Sequence, residues 1–127
     1  MKLQGIASFA VVLTLVWTTG AEAAVLRTAP FPGDAVGTGA AACYITNAGT
    51  STGNVSAILY DKNGTALESI SPPVALAPHV TTTTPNHGFA DSPTHCVCVV
   101  PSATTYRCSF VYFDKALPGH IVVIGAP

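Results

Sequence analysis

Residues 95–113 read HCVCVVPSATTYRCSFVYF, two apolar runs separated by a short polar segment that begins with proline. Valine recurs in the first run, tyrosine and phenylalanine recur in the second, and such β-branched and aromatic residues are typical of strands. The separating segment, Pro101–Thr105, has the composition of a turn. The stretch therefore predicts a β-hairpin in which residues 95–100 and 106–113 are neighbouring antiparallel strands.

The N-terminal residues predict export. Lys2 provides a short basic start, Ile6–Trp17 is an uncharged apolar run, and Ala21-Glu22-Ala23 ends the segment with a small-x-small pattern. This layout predicts a secretory signal peptide over residues 1–23, and a secreted or periplasmic location for the mature chain. The apolar run is too short to cross roughly 30 Å of hydrocarbon as a helix, and no later run is long enough, so we predict no integral membrane segment after cleavage.

The four cysteines, Cys43, Cys96, Cys98 and Cys108, all follow the predicted signal peptide. An even count in a small exported domain indicates disulfides. Cys96 and Cys98 are two residues apart on one strand, so a bridge between them would distort the backbone. A turn centred on Ala103 places Cys98 directly opposite Cys108. We favour Cys98–Cys108 with Cys43–Cys96; Cys43–Cys98 with Cys96–Cys108 needs a register shifted by two residues and stays open.

Charge limits the classes of partner. Only 9% of the 127 residues are charged and the net charge is −1. Such a surface offers no counter-ion release to nucleic acid and no attraction to anionic membranes, so we predict neither partner. An unidentified protein or cell-surface component is the partner class that we expect instead.

The rest of the chain predicts short strands separated by turns. Residues 24–41 form a flexible lead-in with a possible short strand at Ala24–Ala29, and residues 42–127 form one domain. Asn63-Gly64 predicts a type I′ hairpin turn with two positive φ angles, and Pro72-Pro73 is expected to end a strand. The expected strands after the lead-in are 42–47, 55–61, 65–70, 74–77, 79–84, 95–100, 106–114 and 120–124. Thr81–Thr84 is expected at a sheet edge or facing solvent. In the strand 55–61, odd-numbered and even-numbered positions both carry apolar residues, so the pattern does not show which face is buried.

This order of elements resembles small exported bacterial domains of the immunoglobulin-like or CARDB-like β-sandwich type, many of them uncharacterised. Cys43-Tyr44-Ile45-Thr46-Asn47, Val55–Asp61, Asn63-Gly64 and Val74–Pro78 carry the similarity. The resemblance implies an antiparallel immunoglobulin-like β-sandwich of seven to eight short strands. It also implies a bridge from the early cysteine to a late strand, which supports Cys43–Cys96. It implies a fold and a compartment rather than a reaction.

No pattern of catalytic or metal-binding residues emerges. His95, Cys96 and Cys98 are the candidate soft-metal ligands, but disulfide formation explains the cysteines, and no Cys-x-x-Cys spacing is present. His79 and His87 are interpreted as surface loop residues. The acidic residues Asp61, Asp91 and Asp114 fit turns, and there is no Gly-x-Ser-x-Gly or phosphate-binding loop. Tyr106, Phe110, Tyr112 and Phe113 are interpreted as core residues in preference to a sugar-stacking platform. We therefore predict neither catalytic residues nor a cofactor.

The sequence thus predicts an exported non-catalytic module with a binding or structural role outside the cytoplasm. One alternative is a subunit of a surface assembly that uses strand addition, either along the uncharged strand His120–Ile124 or through a donated arm, Ala24–Ala42. The other alternative is a soft-metal-binding protein that uses His95, Cys96 and Cys98.

Overall fold

The computed structural model describes residues 23–31, 39–113 and 121–127, which form two antiparallel β-sheets packed face to face. A 3₁₀ turn, Phe89–Asp91, lies between the sixth and seventh strands. The described residues contain nine strands, in chain order β1 (Ala24–Arg27), β2 (Ala40–Asn47), β3 (Gly53–Asp61), β4 (Ala66–Leu76), β5 (Thr81–Thr83), β6 (His87–Gly88), β7 (Pro93–Val100), β8 (Tyr106–Phe113) and β9 (Ile121–Gly125).

The first sheet, sheet A, has the order β1-β7-β3-β4. The second, sheet B, has the order β5-β2-β8-β9, and β6 also pairs with β2. The prediction of an all-β antiparallel sandwich is confirmed, and so is the edge position of the Thr81–Thr83 strand. Within the described ranges, no helix is long and apolar enough to cross a membrane.

The structure shows which face of β3 is buried. Val55, Ala57 and Leu59 are almost completely buried between the sheets, while Ile58 and Tyr60 of the opposite parity are half-buried. The sequence left this choice open because both parities carry apolar side chains. The core that these residues share is lined from sheet B by Ile45 and Phe110, both fully buried.

The predicted hairpin over residues 95–113 is wrong. β7 lies in sheet A between β1 and β3, whereas β8 lies in sheet B between β2 and β9. The segment between them therefore crosses from one sheet to the other. Every second residue from Cys96 to Val100 and from Tyr106 to Tyr112 is hydrophobic and buried, and the strands bury these faces by packing against each other across the core.

Both disulfides connect the two sheets. Cys43 of β2 is joined to Cys96 of β7 with a Cα–Cα distance of 5.7 Å. Cys98 of β7 is joined to Cys108 of β8 with a Cα–Cα distance of 6.2 Å. These are the pairs favoured from the sequence, but the second bridge spans the core instead of neighbouring strands of one sheet.

The β3–β4 turn is a hairpin of a different type from the one predicted. Gly64 has a φ of +82°, but Asn63 is not among the residues with positive φ. The Gly64 N–H donates to the Asp61 carbonyl, and the Asp61 N–H donates to the Thr65 carbonyl. The Asp61 carboxylate accepts the N–H groups of Asn63 and Thr65, both at 2.8 Å. These bonds define a type I turn followed by a glycine bulge, in which one positive φ is enough.

Pro72-Pro73 does not end a strand, because β4 continues through both prolines to Leu76. β4 lies at the edge of sheet A and, among the described strands, pairs with β3 alone. Proline at an edge removes no hydrogen bond that an outer neighbour would need. The pairing of β3 with β4 is irregular here, with a register shift between Val55 and Ala57.

The predicted lead-in contributes to the sandwich. β1 pairs with β7 from Ala24↔Val100 to Arg27↔Val97, and Leu26 is buried in the core. β1 begins at the residue that would follow the predicted cleavage site. Residues 32–38, which form most of the remaining lead-in, lie outside the described residues, as do the predicted signal residues 1–22, Asp114 and His120.

The Asn47 side chain connects the end of β2 to the following turn and to the end of β4 in sheet A. Its side chain is fully buried, and its Nδ2 group donates to the carbonyls of Ser51 and Leu76, each at 2.9 Å. Its Oδ1 atom accepts the N–H of Gly49 at 2.9 Å. A buried amide with these partners fixes the polar turn after β2 against the end of β4.

Removing the bridges one at a time tests how they stabilise the sandwich. The Cys43–Cys96 bridge closes a sequence separation of 53 residues and Cys98–Cys108 one of 10. Chain-entropy loss predicts that the variant C43A/C96A loses about 4 kcal/mol and C98A/C108A about 2.7 kcal/mol. Urea unfolding of both variants measures this difference. An equal or reversed order would mean that loop closure does not control their contribution.

Asn47→Ala should destabilise the fold without changing its topology. Each buried group left unpaired costs roughly 1–3 kcal/mol, and the substitution removes the partner of Leu76 O and Gly49 N. Asn63→Ala, in the exposed turn, is the matched control and should change the unfolding free energy by less than about 0.5 kcal/mol. Similar values for the two variants would contradict the role given to Asn47.

Candidate functional site

Two carboxylates hold one histidine where the two sheets meet at one side of the sandwich. His87 Nδ1 lies 3.2 Å from Glu68 Oε1, and His87 Nε2 lies 2.6 Å from Asp91 Oδ2. We call Glu68, His87 and Asp91 the carboxylate–histidine cluster. The His87 and Glu68 side chains are 21% and 28% exposed, and that of Asp91 is 64% exposed, so solvent reaches the cluster.

Local structure explains how the three residues meet. Glu68 pairs with the buried Leu59 across β3 and β4, so its side chain lies on the inner side of sheet A at the edge strand. β6 pairs with Ala40 and Ala41 of β2, which brings His87 to the same side from sheet B. Asp91 follows one turn later in the 3₁₀ turn.

Aromatic packing fixes the loop that carries His87 and Asp91. Phe89 is buried, and its N–H donates to the Gly39 carbonyl at 2.9 Å. Its ring lies 4.4 Å from that of Tyr112 and edge-on to that of Phe31 at 5.7 Å. Ser92 closes the turn with a φ of +53°. The loop is therefore anchored in the core, and the cluster is held at its rim.

The charges around His87 favour its protonated form. The hydrogen bond to Asp91 has the largest effect, and with the bond to Glu68 it raises the pKa of His87 above the usual 6.5 in spite of partial burial. Both ring nitrogens are occupied, so neither is available to take a proton from a substrate. The carboxylates contact opposite edges of the ring and do not converge on one point, and the described residues contain no group of three metal-ligating side chains around a common centre. The cluster therefore forms an electrostatic contact between the two sheets.

The candidate metal ligands lie elsewhere. Cys96 and Cys98 are both bridged, so their sulfurs are not thiolate ligands. His95 stacks on Tyr60 at 5.3 Å, and its Nδ1 atom is hydrogen-bonded to Thr94 Oγ1 at 2.9 Å. Burial, with a smaller effect from Arg27, lowers the pKa of His95 below 6.5.

The aromatic strand β8 contributes mainly to the core. Tyr106, Phe110 and Tyr112 are all buried, which confirms the core interpretation and removes them from any exposed stacking platform. Phe113 is half-buried, and its ring lies 6.4 Å from that of Tyr44.

Two small cavities lie among the described residues. One of about 160 Å³ is lined by Leu26, Tyr106, Arg107 and Ala126, among others. A shallow depression of about 230 Å³ lies along Ala66–Ser69, beside the cluster. Both are below the roughly 300–1,000 Å³ usual for small-molecule sites.

Apolar side chains are exposed on the outer face of sheet A. Val25 of β1 and Val99 of β7 are direct cross-strand neighbours and are 52% and 39% exposed. Val97 and Ile58 are paired in the adjacent part of the sheet and are half-buried. The charge on these paired positions comes from Arg27, opposite Val97. Together these side chains form a partly exposed apolar group on this face.

The chain matches no family model, no curated protein and no solved structure. The resemblance to immunoglobulin-like domains therefore stays a prediction.

Sequence reasoning interpreted His87 as a surface loop residue and did not find the cluster. The one local signal was the spacing of four residues between His87 and Asp91. Glu68 is 19 residues from His87, and the packing of two sheet edges, which no sequence pattern encodes, brings it there.

The cluster predicts a pH-dependent contribution to stability. Because the pKa of folded His87 is raised, its contribution is complete below the unfolded pKa of about 6.5 and is lost as the pH rises through the folded pKa. We expect His87→Gln to lower the melting temperature more at pH 5.5 than at pH 8.

His95→Gln is the control with the opposite sign. The pKa of folded His95 is lowered, so its titration destabilises the fold as the pH falls. Calorimetric melting of both variants at the two pH values checks the prediction. An equal effect of His87→Gln at both pH values would contradict an electrostatic contribution of the cluster to stability.

Proposed function

We propose that the chain is an exported, non-catalytic β-sandwich module of the immunoglobulin-like type, with a binding or structural role outside the cytoplasm. The observation that carries the proposal is the pair of inter-sheet disulfides, whose four cysteines are at most 2% exposed. Disulfides form and persist in oxidising compartments. Folding of this domain with both bridges closed therefore favours export, in agreement with the signal peptide predicted over residues 1–23.

The position of one bridge supports the immunoglobulin-like assignment. Cys43–Cys96 joins the second strand of the chain to a late strand of the opposite sheet. Antibody domains carry an inter-sheet bridge between their strands B and F, and β2 and β7 take comparable places here. The strand order differs from that of antibody domains elsewhere, because β8 pairs with β2 and β1 pairs with β7.

The chemistry of the described histidines supports a non-catalytic role. Both nitrogens of His87 are held by carboxylates. His95 is bonded to the neighbouring Thr94 and stacks on Tyr60, an arrangement in which no carboxylate orients the ring as in a catalytic triad. Small cavities and an exposed apolar face fit recognition of a protein or cell-surface partner better than turnover of a small substrate.

The alternative with a donated arm receives less support. β1 occupies the edge of β7 in its own chain, where Leu26 fills the core. Among the described residues, this leaves Ala24–Arg27 already paired within the chain.

Expression of the full chain in a Gram-negative bacterium tests the proposal. We expect a periplasmic product that begins at Ala24 and whose intact mass is lower by four hydrogens than that of the reduced chain. The variant A21D/A23D should remain unprocessed because it removes the small residues required for cleavage, while A29D, outside the motif, should be processed normally.

Two results would overturn the proposal. One is an unprocessed cytoplasmic chain with free thiols. The other is a purified product with free thiols and bound copper or zinc, measured by thiol titration and metal analysis, which would favour the metal-binding alternative.

A further inference from the structure

Among the described strands, β9 lies at one edge of sheet B and has a partner on one side only. β9 pairs with β8 from Ser109↔Gly125 to Phe113↔Ile121, and within the described residues no strand pairs with its other side. A strand edge presents N–H and C=O groups whose natural complement is another extended backbone. Val122 and Val123 are 40% and 60% exposed beside this edge.

The other sheet edges carry features that discourage strand addition. β4 carries Pro72-Pro73 and pairs with β3 through register shifts. β5 has three residues, and β1 has four residues and carries the charge of Arg27. Short strands, proline, bulges and charge all protect sheet edges. β9 reads Ile121-Val122-Val123-Ile124-Gly125 and contains neither proline nor charge.

We propose that β9 pairs with β9 of a second copy of this chain, in antiparallel orientation about a two-fold axis through Val123. This register keeps all five residues paired: Val123 faces Val123 of the second copy, residue 121 faces 125, and 122 faces 124. Because the strand has no charge, the same sequence is an acceptable neighbour for itself, as a two-fold interface requires. The inference goes beyond the proposed module and does not depend on export.

The rest of the molecule is compatible with this pairing. The net charge of −1 gives little repulsion between copies. Sheet B would extend in the order β5-β2-β8-β9-β9-β8-β2-β5, an eight-stranded sheet within the usual range. Leu26 of β1 and Ala126 after β9 line the same cavity, so the edge of β1 lies on the same side of the sandwich.

Pairing of one short strand gives a small interface, below the roughly 1,600 Å² of a standard complex. We therefore expect a weak dimer, with a Kd of roughly 10 µM to 1 mM. Sedimentation equilibrium of residues 24–127 with both disulfides closed, over this concentration range, measures the association.

Charge substitution at the two-fold axis tests the register. Val123→Lys places two ammonium groups opposite each other and should raise the Kd at least tenfold, as should Val123→Glu with two carboxylates. A mixture of V123K and V123E places opposite charges at the axis and should associate again. Val80→Lys is the matched control, because Val80 is 45% exposed and lies next to β5, at the other edge of sheet B.

Hydrogen exchange on the unsubstituted protein provides a readout that does not depend on a variant folding. Backbone amides of β9 should become better protected as concentration rises, while those of β5 should not change. A chain that is monomeric up to ~1 mM would overturn the proposal, as would association that is insensitive to V123K or a V123K and V123E mixture that stays monomeric. A protein that associates only with an unrelated extended peptide would also overturn it.

Discussion

The structure depends on β7, whose inward-facing cysteines tie it to two strands of the opposite sheet. Cys96 is bridged to β2 and Cys98 to β8, so a single central strand of sheet A fixes two central strands of sheet B. All four sulfurs lie among buried apolar side chains such as Phe110 and Leu59. A small domain gains much of its stability from such cross-links, and here they also fix how the two sheets are placed against each other.

The two sides of the sandwich differ. On one side β4 and β6 are connected by the Glu68–His87 contact. The outer edge of β4 on this side carries two prolines, and Phe89 anchors the adjoining loop in the core. On the other side β1 and β9 leave Val25, Val122 and Val123 exposed. One side is therefore closed by a polar contact, whereas the side formed by β1 and β9 exposes apolar side chains.

Several elements follow from local chemistry and were predicted from the sequence. Alternating apolar residues and turn signals gave the strands at 42–47, 55–61 and 106–113, and the Asp61–Gly64 turn was located even though its type was wrong. The buried face of β3 could not be predicted, because Val55 and Ile58 are equally apolar. The prediction that Pro72-Pro73 ends a strand was wrong, because the effect of proline depends on whether the strand lies at a sheet edge. The sequence of a strand does not show its position in the sheet.

The sequence by itself determined the strand-forming segments, the low charge and the pairing that is favoured for the four cysteines, because these follow from residue type and short spacing. Tertiary structure alone decided that β7 and β8 lie in different sheets, that Glu68 reaches His87, and that the described residues leave one edge of β9 unpaired. These features depend on which strands become neighbours across the core. Burial of one apolar face against another selects those neighbours, and this free energy belongs to the whole chain rather than to any local pattern.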